Sequence, residues 1–374
     1  MNRLFFTFSL IISFSLISFA HHPLGNGRSI LFPDIPGYQT MKVDLHQHTV
    51  FSDGDVWPST RVEESEKDDL DAISLTDHLE YQPHKSDILH SDRNRTYALA
   101  LETAKANNSD LIIINGSEIT RKLPPGHSNA IFLTDANKML IKDSIEVFRE
   151  AKRQGAFTFW NHPHWLGHVK DGVAKLSDMH KYLLKEKLLD GIEVVNDLSY
   201  SDEALQIALD NDLTIIGSSD IHGLIDWQYG VPDGGHRPIT LAFAKEKTEA
   251  GLKEALFAKR TVVWFNNTLI GREEFLVPLI RQSLNADTSF YYRKTSVLTV
   301  MIRNSSSTEY ILENTSAYNF HDNADIVTLK ANSITKIEVK VKEKLASLEL
   351  KFEVLNAVTA PKKHPEITIA VVVK

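Results

Sequence analysis

The feature that constrains the fold most is a repeated alternation of short apolar runs with helical patterns between about Met41 and Ala244. The apolar runs are MKVDLH, DAISLTDH, DLIIINGSE, SNAIFLTD, AFTFWNHP, DGIEVVN and DLTIIGSSD, with RPITLAFA as a weaker eighth. The stretches between them show helical spacing with polar faces. This alternation predicts an α/β fold with a mainly parallel sheet, and seven or eight such units favour a closed barrel over an open sheet.

The pattern changes after about Ala286. From Ser296 onward, runs such as SVLTVMIRN, SITKIEVKVKE and SLELKFEVLN alternate apolar and polar residues between turns rich in Asn, Ser, Pro and Lys. This alternation predicts an antiparallel β module, a small sandwich. A chain of 374 residues also favours one large domain plus a smaller one. We therefore expect a barrel over residues 39–285 and a β-sandwich-like domain over residues 290–374.

The N-terminus has the pattern of a signal peptide over residues 1–20. Arg3 precedes an apolar run from Leu4 to Ala20, and Ser18 and Ala20 are the small residues of a cleavage site. The run is long enough for an uncleaved anchor, but its serines and small-residue exit favour cleavage. We therefore expect a periplasmic or secreted protein without a stable membrane anchor.

Composition excludes some chemistry. The chain has no cysteine, so disulfides and thiolate metal sites are excluded. Its formal net charge of −8 gives no reason to expect a nucleic-acid partner. The acidic run EESEKDDLD at residues 63–71 lies in a helical stretch, and we interpret it as a solvated helix face.

Histidines and carboxylates follow or flank six of the apolar runs. In chain order they are His46, His48, Asp53, His78, Glu118, His127, His162, Asp220 and His222. In a β/α barrel the strand ends converge on one mouth, where active sites are built. Residues i and i+2 of a strand point to the same side, so His46 and His48 can bind one ion together. Imidazole and carboxylate are ligands of zinc, manganese and iron rather than of calcium.

Any single histidine of this set is more often a surface or core residue than a ligand. The joint placement of six histidines and three carboxylates at strand ends nevertheless predicts a metal site. A carboxylate such as Glu118 can bridge two ions, and two ions form a clamp for displacement at phosphorus.

The motifs DLHQHTVFSDG, SLTDH, GSEIT, GHSNA, NHPHW and GSSDIHG resemble, in this order, those of the PHP (polymerase and histidinol phosphatase) superfamily of metal-dependent phosphoesterases. The resemblance covers roughly Met41 to Leu241. The signal sequence, the insertion from Glu80 to Arg95 and the β tail look like those of exported bacterial phosphodiesterases of the superfamily. The resemblance implies a distorted (β/α)7 TIM-like barrel that holds two to three divalent ions (Mn, Zn or Fe).

The resemblance also divides the ligands among three ions. The sets are, in turn, His46, His48, Glu118 and Asp220; the bridging Glu118 with His127 and His162; and Asp53, His78 and His222. Some relatives carry a histidine at the place of Gly54, so the third site is the least secure. Asp44 is expected to orient one of the metal ligands without binding an ion itself.

The mechanism implied is in-line attack on phosphorus by a hydroxide bridging the first two ions, with Glu118 and Asp220 as the catalytic carboxylates. Arg121 is a candidate for clamping phosphate oxygens, because guanidinium pairs with phosphate bidentately; a solvated loop arginine is the alternative. His164 could protonate the leaving group, or it could pack beside Trp165. The insertion Glu80–Arg95 could contact an anionic substrate.

Four functions stay open at this point. The first is an exported metal-dependent phosphodiesterase that acts on a small phosphoester. The second is a phosphomonoesterase similar to histidinol phosphatases, and the third is a non-catalytic metal- or glycan-binding surface protein. A proofreading nuclease is disfavoured by the acidic charge and by export. The oligomeric state is left open.

Overall fold

A computed structural model describes residues 28–373, so the predicted signal peptide at residues 1–20 lies outside the described residues. The strands of the large sheet are β1 (Gln39–Gln47), β2 (Ala72–Leu75), β3 (Ile112–Ile119), β4 (Ser128–Ile131), β5 (Phe157–Trp160), β6 (Gly191–Asn196), β7 (Ser199–Tyr200), β8 (Thr214–Ser218), β9 (Ile239–Ala244), β10 (Thr261–Phe265) and β11 (Thr268–Gly271). The helices are α1 (Pro58–Lys67), α2 (Arg95–Ala106), α3 (Glu146–Arg153), α4 (Asp178–Lys185), α5 (Asp202–Asp210), α6 (Ile225–Gln228), α7 (Glu249–Phe257) and α8 (Glu273–Ser283).

The remaining strands belong to the C-terminal region. They are β12 (Leu284–Tyr291), β13 (Val297–Asn304), β14 (Tyr310–Asn314), β15 (Ile326–Leu329), β16 (Ser333–Lys340), β17 (Ser347–Val354), β18 (Ala357–Val358) and β19 (Glu366–Val372). Within residues 28–373, no helix has both the length and the apolar character needed to cross a bilayer.

The large sheet is mixed and curled. Its strand order is β18-β11-β10-β9-β1-β2-β3-β4-β5-β6-β7, with β8 paired to β6. The β1–β2, β2–β3, β5–β6 and β6–β8 pairs are parallel, which fits runs buried on both faces. After β8 the chain returns to the end of β1, where the His48 amide donates to the Ile221 carbonyl at 3.0 Å. This return contact curls the sheet into a barrel-like wall.

Two features depart from the predicted mainly parallel barrel. Strand β4 runs antiparallel to both β3 and β5, because residues 120–127 form a turn rather than a crossover helix. The weaker eighth run, β9, pairs antiparallel with β1 and β10. A regular count of seven strand–helix units therefore stays a prediction, while the α/β wall with helices outside it is observed.

The C-terminal region is an antiparallel sandwich. One sheet has the order β12-β13-β16 and the other β15-β14-β17-β19. The alternating burial along β17 points Leu350 and Phe352 inward, where they share a core with Val300 of the facing sheet. Strand β18 leaves the sandwich and pairs parallel with β11 of the large sheet. The domain ranges 39–285 and 290–374 stay predictions, and the sandwich strands begin at Leu284.

Candidate metal centre

The structure brings together the side chains of all the predicted metal ligands at one edge of the curled sheet. They are His46, His48, Asp53, His78, Glu118, His127, His162, Asp220 and His222. Most follow strands that end at this edge. Because β4 is antiparallel, its first residues lie at the same edge, and His127 therefore enters the cluster from the residue before β4.

The first group of ligands is the most deeply buried: His46, His48 and Glu118 have no exposed side-chain surface, and the Asp220 side chain is 14% exposed. The Nε2 atoms of His46 and His48 lie 3.0 Å apart, and both face Asp220 Oδ1, at 3.1 and 3.0 Å. Each nitrogen also lies 3.7 Å from an oxygen of Glu118. Four donors thus converge on one point, as the alternation of the two histidines in β1 predicts.

The second group forms around Glu118. Its Oε1 lies 3.1 Å from His127 Nδ1 and 3.5 Å from His162 Nε2. Its Oε2 faces Nδ1 of His78. Since Glu118 also faces the first group, its two oxygens are shared between neighbouring groups of ligands, which is the geometry that a bridging carboxylate requires.

The third group is the most open. Asp53 Oδ1 lies 3.3 Å from His222 Nε2 and 3.5 Å from His48 Nδ1, and Asp53 Oδ2 lies 3.4 Å from His78 Nε2. The His222 side chain is 37% exposed and that of Asp53 is 24% exposed. A Cβ at Gly54 would lie 2.6 Å from the backbone of His48 and Thr49, so this backbone leaves no room for a side chain there.

The donor set fits divalent cations. Three carboxylate oxygens, Oδ1 of Asp53, Oε2 of Glu118 and Oδ1 of Asp220, are buried and face ligand nitrogens without forming a hydrogen bond. A buried oxygen without a partner is costly, and a cation at the centre of each group would remove that cost. Histidine together with carboxylate suits zinc, manganese or iron.

The pKa values of the ligands show how strongly the groups interact. Burial opposes protonation of His46, but the carboxylates of Asp220, Glu193 and Glu118 outweigh it and raise the pKa of His46 to about 10. At His78 burial again opposes protonation, but the carboxylates of Glu118 and Asp53 outweigh it and raise the pKa of His78 to about 11. Protons therefore occupy, in the metal-free cluster, nitrogens that a cation would take.

Two of the ligands have unusual backbone conformations. The φ angle is +49° at Asp220 and +29° at His162, in the region that residues with a Cβ rarely adopt. The backbone around Asp220 is held by a bond from its amide to the His46 carbonyl, at 2.9 Å. Such strained residues are typical of sites whose side-chain direction is fixed by function.

A second layer of side chains orients the ligands, and its central residue, Glu193 of β6, was missed by the sequence analysis. Glu193 Oε1 accepts from His46 Nδ1 at 2.8 Å, which turns Nε2 of that ring toward the cluster. Glu193 Oε2 accepts from the His162 amide at 2.7 Å and from Asn196 Nδ2 at 2.9 Å. Its only signal in the sequence is a charged residue inside the apolar run DGIEVVN.

Asp44 supports the site indirectly, through the residue before the ligand Asp220. It is fully buried and accepts from the Ser219 amide and hydroxyl, at 3.1 and 2.6 Å, beside the ligand Asp220. Arg237 lies 3.3 Å from Asp44 and 2.7 Å from Asp68. Asp44 thus acts on the chain before Asp220 rather than on a ligand side chain.

The interpretation of residues 63–71 as a solvated face is wrong for four of them, because Glu64, Ser65, Asp68 and Leu70 are buried. Glu64 and Asp68 are buried because they neutralise buried arginines. Arg61 of α1, itself fully buried, donates to the carbonyls of His48, Ile221 and His222 at 2.9, 3.3 and 2.8 Å. It thereby ties together the chain segments that carry ligands from β1 and β8.

The two predicted substrate-contacting residues are engaged elsewhere. Arg121 pairs with Glu80 and donates to the Ile141 carbonyl at 2.6 Å, so binding a phosphate would require breaking this pair. His164 Nε2 lies 2.8 Å from the Ser199 hydroxyl, at the β6–β7 turn. The oxygen-clamp role of Arg121 and the proton-donor role of His164 stay predictions.

The loop after β5 adds a histidine that the sequence analysis also missed. The ring centroid of His168 lies 4.8 Å from that of His127 and 4.8 Å from that of Trp165. Burial and the neighbouring His127 and His162 lower the pKa of His168 to about 4, so it is neutral at pH 7. Its signal in the sequence is its place six residues after His162, in the same loop.

Comparisons with known proteins agree with both halves of this architecture. Residues 284–370 match a family described as an Ig-like domain. The crystal structure of a two-domain protein from Bacteroides vulgatus, described as containing a predicted PHP-like metal-dependent phosphoesterase, is similar over 93% of this chain and 99% of that chain. The two share 41% sequence identity, with a TM-score of 0.85.

Two more distant similarities are found. A lesion-specific endonuclease from Pyrococcus furiosus is similar over 69% of this chain and 64% of that chain, at 13% identity and a TM-score of 0.40. The uncharacterized protein MJ1295 of Methanocaldococcus jannaschii is 35% identical over 85 residues, which make up 23% of this chain and 36% of that protein. The match therefore spans about a third of the length of this relative.

Proposed function

Because the chain belongs to the PHP-like metal-dependent phosphoesterases, we propose that it is a phosphodiesterase that hydrolyses a small phosphoester with two to three divalent ions. The observation that carries the proposal is the position of Glu118: its Oε1 faces both His46 of the first group and His127 of the second, and its Oε2 faces His78. Two ions that share a carboxylate can hold both the attacking and the leaving oxygen of an in-line displacement.

The proposed ligand sets follow the three groups of side chains. The deeply buried first group and the Glu118-centred second group would hold the catalytic pair, with Glu118 and Asp220 as their carboxylates. The more open group around Asp53 would hold a third ion. When bound, these ions supply an acidified water and positive charge at the phosphate; manganese, zinc and iron all suit the donors. The residues of the chain orient the ligands, and Glu193 keeps His46 in the productive tautomer.

The preference for a diester over a monoester rests on charge. A monoester carries two negative charges near neutral pH, and enzymes for such substrates benefit from additional cations. Arg121, the arginine closest in sequence to Glu118, is already paired with Glu80. A diester with one negative charge therefore suits the site better. A phosphomonoesterase remains the second candidate.

We also propose that the protein is exported to the periplasm or beyond it, with its signal peptide removed and no stable membrane anchor. The support is the sequence of residues 1–20, with Arg3 before an apolar run that ends in small residues. We propose in addition that the large sheet and its helices form a distorted (β/α)7 barrel, in which the antiparallel strand β4 is the distortion.

The test is turnover of bis(p-nitrophenyl) phosphate against p-nitrophenyl phosphate, after loading the protein with manganese or zinc. We expect higher kcat/KM for the diester, loss of activity with a chelator, and recovery when metal is returned. Glu118→Gln should lose activity, whereas Glu343→Gln, on an exposed turn of the sandwich, should not.

Preference for the monoester would support the second candidate. Tight metal binding without turnover of either ester would support a non-catalytic metal-binding protein instead. Metal content is therefore measured on every variant by elemental analysis, so that failure to bind ions is separated from failure to turn over substrate.

A further inference from the structure

Two half-exposed aromatic side chains, Tyr81 and Trp165, each lie next to a different metal ligand. The Tyr81 ring lies 5.7 Å from the His78 ring, and the Trp165 ring lies 5.8 Å from the His127 ring. The two histidine rings are themselves 5.3 Å apart. Tyr81, His78, His127 and Trp165 therefore form a continuous row of rings, with metal ligands in the middle and an exposed aromatic at each end.

The position of Trp165 is fixed by its surroundings. Its amide donates to the His162 carbonyl at 2.9 Å, and its carbonyl accepts from the His168 amide at 2.9 Å. A Cβ at Gly167 would lie 2.5 Å from the indole, so only glycine lets the ring lie against this backbone. The indole still leaves 47% of the residue exposed. A rigid, partly open indole is suited to stacking on a planar group.

Tyr81 is held in a comparable way at the other end. Its neighbour Glu80 accepts from the Thr120 amide at 2.9 Å and pairs with Arg121, which anchors the start of the insertion to the loop after β3. Tyr81 itself is 51% exposed. Single exposed aromatics are ordinary on protein surfaces, but two anchored ones at the ends of a row of metal ligands require another explanation.

Resting on the proposed phosphodiesterase function, we propose that Trp165 and Tyr81 bind planar aromatic rings in the ester groups of the substrate. A phosphodiester has two organic arms on one phosphorus. With the phosphorus at the metal ligands, one arm reaches toward each end of the row. The substrate class is therefore a phosphodiester in which at least one alcohol carries an aryl or heteroaryl ring. Hydrolysis adds water across one P–O bond. The phosphorus keeps the hydroxyl of the water, and the alcohol whose bond to phosphorus breaks leaves with the proton.

The first test compares two diesters with the same leaving group, bis(p-nitrophenyl) phosphate and ethyl p-nitrophenyl phosphate. Stacking on one ring is worth a few-fold in affinity, so Trp165→Ala should raise KM for the diaryl ester about fivefold. The effect on the ethyl ester should be smaller, and kcat should change little. Trp165→Phe should recover most of the loss. Trp227→Ala, an 82% exposed tryptophan on α6, is the matched control and should leave both esters unaffected.

The second test measures binding without turnover, by calorimetry of diphenyl phosphate and diethyl phosphate with the metal-loaded protein. We expect tighter binding of diphenyl phosphate and a selective loss of that advantage in Trp165→Ala and Tyr81→Ala, with Tyr292→Ala of the sandwich as the control for tyrosine. Equal binding of the two diesters by the wild type, or equal weakening of both by the variants, would overturn the proposal. Selective binding of diphenyl phosphate without hydrolysis of any diester would support ring binding and overturn the phosphodiesterase function.

Discussion

Replacing Arg61 with methionine should loosen the metal centre from a position that contacts none of its ligand side chains. Arg61 has no exposed surface and donates to three carbonyls, two of which belong to the ligands His48 and His222. It also pairs with Glu64 at 2.7 Å, whose other oxygen accepts from the Ile225 amide. Methionine keeps much of the side-chain volume but removes every donor.

The size of the effect follows from these contacts. Two buried carbonyls and one partly buried carbonyl lose a charged donor, and the Glu64 carboxylate is left buried without its partner. Breaking one partner of a buried ion pair costs about 3–5 kcal/mol, and the hydrogen bonds are part of the same unit rather than additional to it. We therefore expect a loss of about 4 kcal/mol in the free energy of unfolding.

The assay separates folding from metal positioning. Urea unfolding gives the stability, and elemental analysis with competitive chelation gives the number and affinity of bound ions. The double variant Arg61→Met/Glu64→Gln removes the unpaired charge while keeping an acceptor for Ile225, so it should regain about half of the lost stability, roughly 2 kcal/mol. In this double variant, the ion proposed for the Asp53 group should still bind about 10–100-fold less tightly than in the wild type.

One result would refute this reasoning. If the double variant regains stability and also binds the wild-type number of ions with unchanged affinity, then Arg61 only stabilises the fold and does not position His48 and His222. Arg61→Lys is a useful intermediate, because lysine keeps the charge beside Glu64 but cannot direct several planar donors at separate carbonyls.

Four further predictions concern the ligands and Glu193, which orients one of them. Glu118→Ala should lose the paired metal cluster and nearly all activity, and an unchanged metal content would contradict its bridging position. Glu193→Gln should weaken metal binding about 10–100-fold, measured by chelator competition, because the negative charge beside His46 is lost and one of the two accepting oxygens becomes an amide donor. Metal loading at pH 8 should release protons, seen by calorimetry in buffers of different ionisation enthalpy, because the pKa values of His46 and His78 are raised to about 10 and 11. For the same reason the metal-free protein gains stability from these two groups below about pH 6.5 and should lose it as the pH rises toward 10, whereas a flat stability profile over that range would contradict the assigned pKa values.

The strand ends were predictable because two local rules act together. Alternation within a strand places His46 and His48 on the same side, and parallel strands end at one edge. The direction of β4 was not predictable, since the run SNAIFLTD reads the same in a parallel or an antiparallel strand. The position of His127 survives this error, because the start of an antiparallel strand lies at the edge where its parallel neighbours end.

The supporting residues could not be predicted from the sequence for a different reason. Glu193 lies in an apolar run and Arg61 in a charged helix, so local pattern indicates a strand residue and a solvated side chain. Glu193 contacts His46, which lies 147 residues earlier in the sequence, and Arg61 contacts the carbonyl of His48, which lies 13 residues earlier. The pair between Arg121 and Glu80 spans 41 residues and redirects an arginine that its neighbours alone suggest for phosphate.

The pairing of β18 with β11 has a consequence for how the chain must be handled. Strand β11 forms the outer margin of the large sheet, and Ala357 and Val358 cover it. An uncovered strand margin is a template for pairing with another chain. The large sheet therefore depends on residues of the C-terminal region for protection of this margin against pairing with other chains. A fragment that ends before the sandwich strands would be expected to self-associate through this margin.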